Sequence, residues 1–136
     1  MDTQELLTMV SARLKENNWH MREECLLLIQ MIFNSSTEEL PGSFYEETVE
    51  NMIETLDDQK PKVRNTARET IINVLRHYSQ PMQLLNTIQP LLEKELYDYM
   101  LFRIQNPENF PRNNYTPYTE DSSVLFIFKI LVNSPS

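Results

Sequence analysis

Glycine is nearly absent from this sequence: Gly42 is the single example in 136 residues. Loops that bind phosphate need several glycines, because only a residue without a Cβ lets the backbone approach a pyrophosphate closely. A Walker loop and a dinucleotide-binding fingerprint are therefore excluded. Tight two-residue hairpins also rely on glycine, so the sequence disfavours an all-β fold and favours helices.

Cysteine and histidine are equally scarce. Cys25 is the single cysteine, so no internal disulfide can form, which fits a reducing compartment. We expect Cys25 to be a small core residue. His20 and His77 are the two histidines, and neither lies at metal-ligand spacing from Cys25 or from a carboxylate pair. No serine lies in a nucleophile elbow, and no paired carboxylates lie among apolar residues. We therefore expect no enzyme, with no catalytic residues, no metal site and no cofactor.

Basic residues and long apolar runs are also in short supply. Twelve Lys and Arg against twenty Asp and Glu give a net charge of −8, which opposes binding to nucleic acid or to an anionic membrane. The apolar run Val124–Val132 contains Lys129 and is far shorter than the roughly 20 residues that span a bilayer. The first residues lack the features of a signal peptide. We expect a soluble, intracellular protein with neither nucleic acid nor membrane as partner.

The apolar residues that are present recur at helical spacing in separate blocks. A proline inside such a block splits the helix, because it lacks the N–H that the helix needs. The spacing predicts five helices: one over about 3–16 capped by Thr3, one from Trp19 to about Phe33, one capped by Ser43, one over about 61–78, and one from about Pro81 that Pro90 splits.

An internal repeat is the most informative feature of the chain. The segment 14–22 aligns with the segment 56–64 at an offset of 42 residues, and the same offset pairs Ile29 with Ile71. Helical hairpins that repeat at about this length are typical of HEAT arrays, in which each hairpin buries its apolar face against the next. The third unit is degenerate, because the offset places Arg103 where Pro61 stood.

These patterns predict an all-α, HEAT/armadillo-like α-solenoid of two clear helical hairpins plus a partial third. The repeats occupy residues 1–104. Residues 105–136 are rich in Pro and Asn and then apolar, so we expect an irregular loop followed by an apolar C-terminal segment. Periodicity does not separate a helix from a strand for the last block.

The turns of successive hairpins are the candidate binding residues. Stacking places equivalent turns side by side along one edge. Residues 59–68 contain four basic groups and no acid, so this part of an acidic chain can attract an acidic partner. A tryptophan beside arginines is a frequent interface anchor. The candidates are Trp19, His20 and Arg22 in the first turn, and Lys60, Lys62, Arg64 and Arg68 in the second.

Structural interpretations of the same residues remain open. Trp19 can fill the end of the space between adjacent repeats instead of binding a partner. Arg22 and Arg64 occupy matched positions, so one or both can hydrogen-bond the preceding turn or pair with the aspartates of the second turn. Lys60 and Lys62 can be ordinary solvated side chains.

The two turns together resemble a known family. The segment from Asn18 to Glu24, followed by an apolar helix and then by the segment from Leu56 to Arg64, resembles the opening two HEAT repeats of a TOG domain. It is closest to the CLASP-like and crescerin-like branch, the latter also called TOG array regulators of axonemal microtubules. The clear resemblance covers residues 5–78, and a fainter one covers 96–136.

The resemblance implies that the edge of turns binds tubulin. In a TOG domain, Trp19 would be the aromatic contact of the first turn, and Lys60, Lys62 and Arg64 would contact the acidic surface of tubulin from the second turn. Arg22 follows the family pattern, either as a contact or as the residue that orients its turn. The implied function is microtubule or axoneme organisation, in the cytoplasm, on the cytoskeleton or in the cilium.

The number of repeats departs from the family pattern. A full TOG domain has more repeats than this chain can hold, so the domain looks truncated and we expect its affinity for tubulin to be reduced. The alternative is a HEAT scaffold without tubulin affinity that binds another protein, through its concave face or through the apolar open end of the array.

Overall fold

The computed structural model describes residues 2–36 and 40–107. Within these ranges the chain is all-α, and the predicted HEAT-like fold is confirmed. The segment 108–136, including the predicted apolar C-terminal block, lies outside the described residues. The helices are α1 (Thr3–Ala12), α2 (Trp19–Ser35), α3 (Gly42–Met52), α4 (Pro61–His77), α5 (Pro81–Ile88) and α6 (Lys94–Gln105).

Each hairpin repeats the same sequence of elements. The first helix ends in a 3-10 segment, a short turn follows, and the second helix then begins. The 3-10 segments are Arg13–Lys15, Ile53–Asp57 and Gln89–Leu91. The last of them contains Pro90, so the predicted split of the fifth helical block is confirmed. The first two turns, 16–18 and 58–60, have three residues each, and the third, 92–93, has two.

The third hairpin is shorter than the other two. The second helices of the three hairpins begin at Trp19, Pro61 and Lys94, which are 42 and then 33 positions apart. The fixed offset of 42 therefore fails in the third hairpin, and Arg103 lies inside α6 rather than at its start. All the parts before the second helix are shorter: α5 has 8 residues where α3 has 11, and the connection before it, the 3-10 segment and the turn are shorter as well.

Two predicted helix caps, Thr3 and Ser43, are wrong, by one and two positions respectively. The cap of α1 is Asp2, whose carboxylate accepts the N–H of Glu5 at 2.8 Å, and Thr3 is the first helical residue. Helix α3 begins at Gly42, directly after Pro41, so Ser43 lies inside the helix. Pro41 makes no side-chain cap, and its fixed φ leads the chain into the helix from an extended conformation.

The core lies between the second helices of the hairpins and the first helices that cover them. Cys25 and Ile29 of α2 and Ile71 and Leu75 of α4 are fully buried. A polar contact also joins the two helices inside the core, because the Gln30 amide donates to the Thr70 hydroxyl at 2.8 Å. Since contacts between α2 and α4 join residues about 42 apart, these helices run parallel and in register.

The single glycine is needed for space rather than for backbone freedom, because its φ is not positive. A Cβ on Gly42 would lie 2.8 Å from the Tyr78 hydroxyl oxygen and 3.5 Å from its Cζ. Tyr78 has little room to move, since its ring packs on Tyr45 with centroids 4.8 Å apart. We expect Gly42→Ala to lower the free energy of unfolding by about 0.5–1 kcal/mol, although alanine is the better helix former.

A double-mutant cycle tests this explanation by chemical denaturation. In a Tyr78→Phe background the hydroxyl is gone, and the same Gly42→Ala change should stabilise the protein by up to about 0.5 kcal/mol. Destabilisation of equal size in both backgrounds would show that the tyrosine oxygen is not the cause.

Candidate protein-binding edge

Trp19 is the first residue of α2 and lies on the first turn. The side chain of Asn18 caps the helix by accepting the His20 N–H at 2.9 Å. The indole of Trp19 stacks on the His20 ring, with centroids 3.7 Å apart. Trp19 is half-buried and packs against the rim of the core. It is therefore held in one orientation while part of its surface faces solvent.

The second turn lies directly beside the first. Lys60, the residue before α4, places its ammonium nitrogen 5.6 Å from the centroid of the Trp19 ring. At this distance the cation is attracted by the electrons of the indole face. The structure thus brings the aromatic candidate of the first repeat and a basic candidate of the second repeat together.

Arg22 links the two turns and is structural. Its Nε and Nη2 donate to the two carboxylate oxygens of Asp58 at 2.6 and 3.0 Å. Its Nη1 donates to the carbonyl oxygens of Glu16 and Asn17 at 2.8 and 3.0 Å. The hydrogen bonds between Arg22 and Asp58 lower the pKa of Asp58 and raise that of Arg22. Arg22 thus makes the hydrogen bonds that its structural interpretation predicted, and the clamp that it forms with Asp58 joins one repeat to the next.

Arg64 repeats part of this arrangement in the second hairpin. Its Nη1 donates to the carbonyl oxygen of Asp58 at 2.6 Å, six positions before it, just as Arg22 donates to Glu16. The two arginines therefore hold their own turns in the same way, which supports the repeat alignment. Arg64 is half-buried.

Lys62 is a solvent-exposed candidate cation that makes one long ion pair. Its side chain is 70% exposed, and its ammonium lies 3.7 Å from a carboxylate oxygen of the nearly buried Glu23. Because Glu23 is nearly buried while Lys62 is exposed, a partner that draws Lys62 away must offset the loss of this contact. Arg68 lies away from this group, in a groove that the second turn shares with the third.

Asp58 is the residue whose role the sequence did not single out. Its carboxylate accepts two hydrogen bonds from Arg22 and one from the Lys60 N–H at 2.9 Å. The repeat marks the backbone carbonyl of Asp58, which lies six residues before Arg64 as Glu16 lies before Arg22, but it does not mark the role of the carboxylate. The sequence offered two neighbouring aspartates, and only the fold shows which one faces the first repeat.

Cys25 is a core residue rather than a reactive thiol. It is fully buried, and this burial raises the pKa of its thiol to about 12. Because the thiolate is the reactive form, we expect an aromatic disulfide reagent at pH 8 to label native protein at least about a hundredfold more slowly than urea-unfolded protein. Stoichiometric labelling of the native protein within seconds would contradict this.

The described residues contain no group of three metal-binding side chains, and none of their helices is long and apolar enough to cross a membrane.

The fold is an all-α array of HEAT-like hairpins, and the turns of these hairpins form an aromatic and basic edge. The family model described as CLASP N terminal matches residues 1–97. The chain therefore belongs to the CLASP N-terminal family of TOG-like, microtubule-associated domains. No curated protein and no solved structure matches the chain.

Proposed function

We propose that the edge formed by the first two turns binds tubulin. Trp19, Lys60 and Lys62 make the direct contacts, while Arg22 and Arg64 hold the turns in position and Arg64 adds positive charge. The observation that carries the proposal is the 5.6 Å contact between Lys60 and Trp19, because it joins the candidate residues of two repeats into one continuous surface. Membership of a microtubule-associated family supports the choice of partner.

The position of the two lysines supports a binding role. Lys60 immediately precedes α4, and Lys62 is its second residue. The N-terminus of a helix carries a partial positive charge, so cations there are unfavourable by a few tenths of a kcal/mol. No acidic residue offsets them in the first turn of α4. The sequence therefore places two cations where the helix end by itself disfavours them and where the proposed function needs positive charge.

The proposed role is a non-enzymatic contribution to microtubule organisation in the cytoplasm. An acidic partner suits the edge, because the edge is locally positive. The chain as a whole has a net charge of −8, so it repels acidic surfaces that do not contact this one patch. A role at the ciliary axoneme is supported only by the resemblance of the two turns to crescerin-like domains.

Removing the indole tests the proposal. We expect Trp19→Ala to weaken binding to purified tubulin about tenfold, because a half-buried aromatic anchor supplies a large share of the contact energy. The measurement is the dissociation constant for unpolymerised tubulin, together with co-sedimentation on microtubules. Trp19→Phe should retain most of the affinity.

Phe102→Ala is the matched control, because it removes an aromatic side chain that is 49% exposed near the far end of α6. It should leave the affinity unchanged. Unchanged binding by Trp19→Ala, with wild-type affinity intact, would exclude the indole as a contact.

A scaffold that binds a different protein is the second candidate. Leu91, Tyr99 and Phe102 of the third hairpin are 54%, 39% and 49% exposed, which is unusual for large apolar side chains so close together in the chain. This candidate predicts no tubulin affinity for the wild type and binding to another protein that Trp19→Ala leaves intact.

A further inference from the structure

The charge of the turn edge reverses at the third turn. Glu93 immediately precedes α6 and Glu95 is its second residue. Lys60 and Lys62 occupy the same two positions relative to α4. All four side chains belong to exposed residues. Two cations on one turn are thus replaced by two anions at the equivalent places on the next.

The third turn lies against the second on the same side of the molecule. A groove of about 270 Å³ separates them, and Asp57 of the second turn lines it together with Leu92, Glu93 and Glu95. Arg68 also lines this groove. Lys94 lies between the two glutamates and pairs with Asp98 at 3.4 Å. With this pair included, four carboxylates face two cations, so this end of the edge is acidic. An acidic surface that extended from the first two turns to the third would meet like charge there.

We infer that Glu93 and Glu95 end the tubulin-binding edge at the second turn and determine which partner surfaces it accepts. This inference rests on the proposed function. Like charges brought together at an interface cost free energy, so such residues reject a poorly matched partner while the attractive contacts retain the correct one. The edge therefore binds an acidic surface through its first two turns, and the third turn weakens binding to any acidic surface, that of tubulin included, that extends as far as Glu93 and Glu95.

Charge reversal at the third turn tests the inference. We expect Glu93→Lys/Glu95→Lys to bind purified tubulin roughly tenfold more tightly than the wild type at low salt, because repulsion is replaced by attraction. The neutral variant Glu93→Gln/Glu95→Gln should show about a threefold gain. Both gains should shrink as ionic strength rises. Thermal unfolding checks that α6 remains folded in each variant.

The matched control changes the net charge equally at another place. Glu46 and Glu47 are exposed residues of α3 in the half of that helix farther from the second turn. Glu46→Lys/Glu47→Lys should leave tubulin affinity within about twofold of the wild type, because these side chains lie outside the edge.

The outcomes separate the inference from the proposed function. If the wild type binds tubulin through Trp19, but reversal at the third turn gives no more affinity than the α3 control, the inference is wrong and the proposed function stands. If the wild type fails to bind while the third-turn variant binds, the inference stands and native tubulin binding is wrong. If neither binds, both are wrong.

Discussion

Replacing Asp58 with alanine is expected to lower the free energy of unfolding by about 3 kcal/mol. Its carboxylate is 6% exposed and accepts hydrogen bonds from Nε and Nη2 of an Arg22 side chain that is 18% exposed. Without it, Arg22 remains as a largely buried charge without its carboxylate, and the Lys60 N–H loses its acceptor. Urea unfolding followed by circular dichroism measures the change.

Asp57→Ala is the matched control, because Asp57 is the exposed neighbour in sequence. It should change stability by less than about 0.5 kcal/mol. Equal effects of the two substitutions would contradict the structural role of Asp58.

Acid titration adds a second readout to the same variant. The hydrogen bonds from Arg22 lower the pKa of Asp58 in the folded protein. A group with a lowered folded pKa stabilises the protein above its unfolded pKa, which is about 4 for aspartate, and this contribution is lost as pH falls through the folded value. The stability difference between wild type and Asp58→Ala should therefore narrow below about pH 4. A difference that stays constant down to pH 2 would contradict the account.

Reversing both lysines of the second turn is expected to have the largest effect on binding. We expect Lys60→Glu/Lys62→Glu to weaken tubulin binding about a hundredfold at low salt, because two attractive contacts with an acidic partner become repulsive. The dissociation constant for purified tubulin is the measurement. The effect should fall at high salt, since both side chains belong to solvent-exposed residues and salt screens exposed charges.

Two double variants of equal net charge separate the effect of this edge from the effect of overall charge. Lys60→Gln/Lys62→Gln lowers the net charge by two and should weaken binding about tenfold. Gln80→Glu/Gln83→Glu lowers it by the same amount at exposed positions near the start of α5 and should leave binding unchanged. Equal weakening by both pairs would mean that overall charge, rather than this edge, controls the affinity.

The adjacency of the first two turns could be predicted from the sequence. The offset of 42 residues fixed the equivalence of Trp19 with Pro61, and stacked hairpins place equivalent positions side by side. The split at Pro90 was predictable too, because proline cannot supply the helical N–H. These features follow from local sequence and from the rule that each repeat must bury its apolar face against a neighbour.

The third hairpin could not be placed in the same way. Its spacing of 33 residues departs from the repeat, and the apolar periodicity of α5 and α6 does not mark where the turn between them lies. The repeat offset therefore does not match Glu93 and Glu95 with Lys60 and Lys62. The choice of Asp58 over Asp57 was equally hidden, because it depends on which carboxylate faces Arg22 of the preceding repeat.

Site-specific photo-crosslinking tests the central claim most directly. A benzophenone side chain placed at position 60, next to Trp19, should crosslink to tubulin in solution on irradiation. The same group at position 46, on the exposed side of α3, should not. Crosslinking from position 46 but not from position 60, with wild-type affinity retained in both proteins, would contradict the proposal that the first two turns contact tubulin.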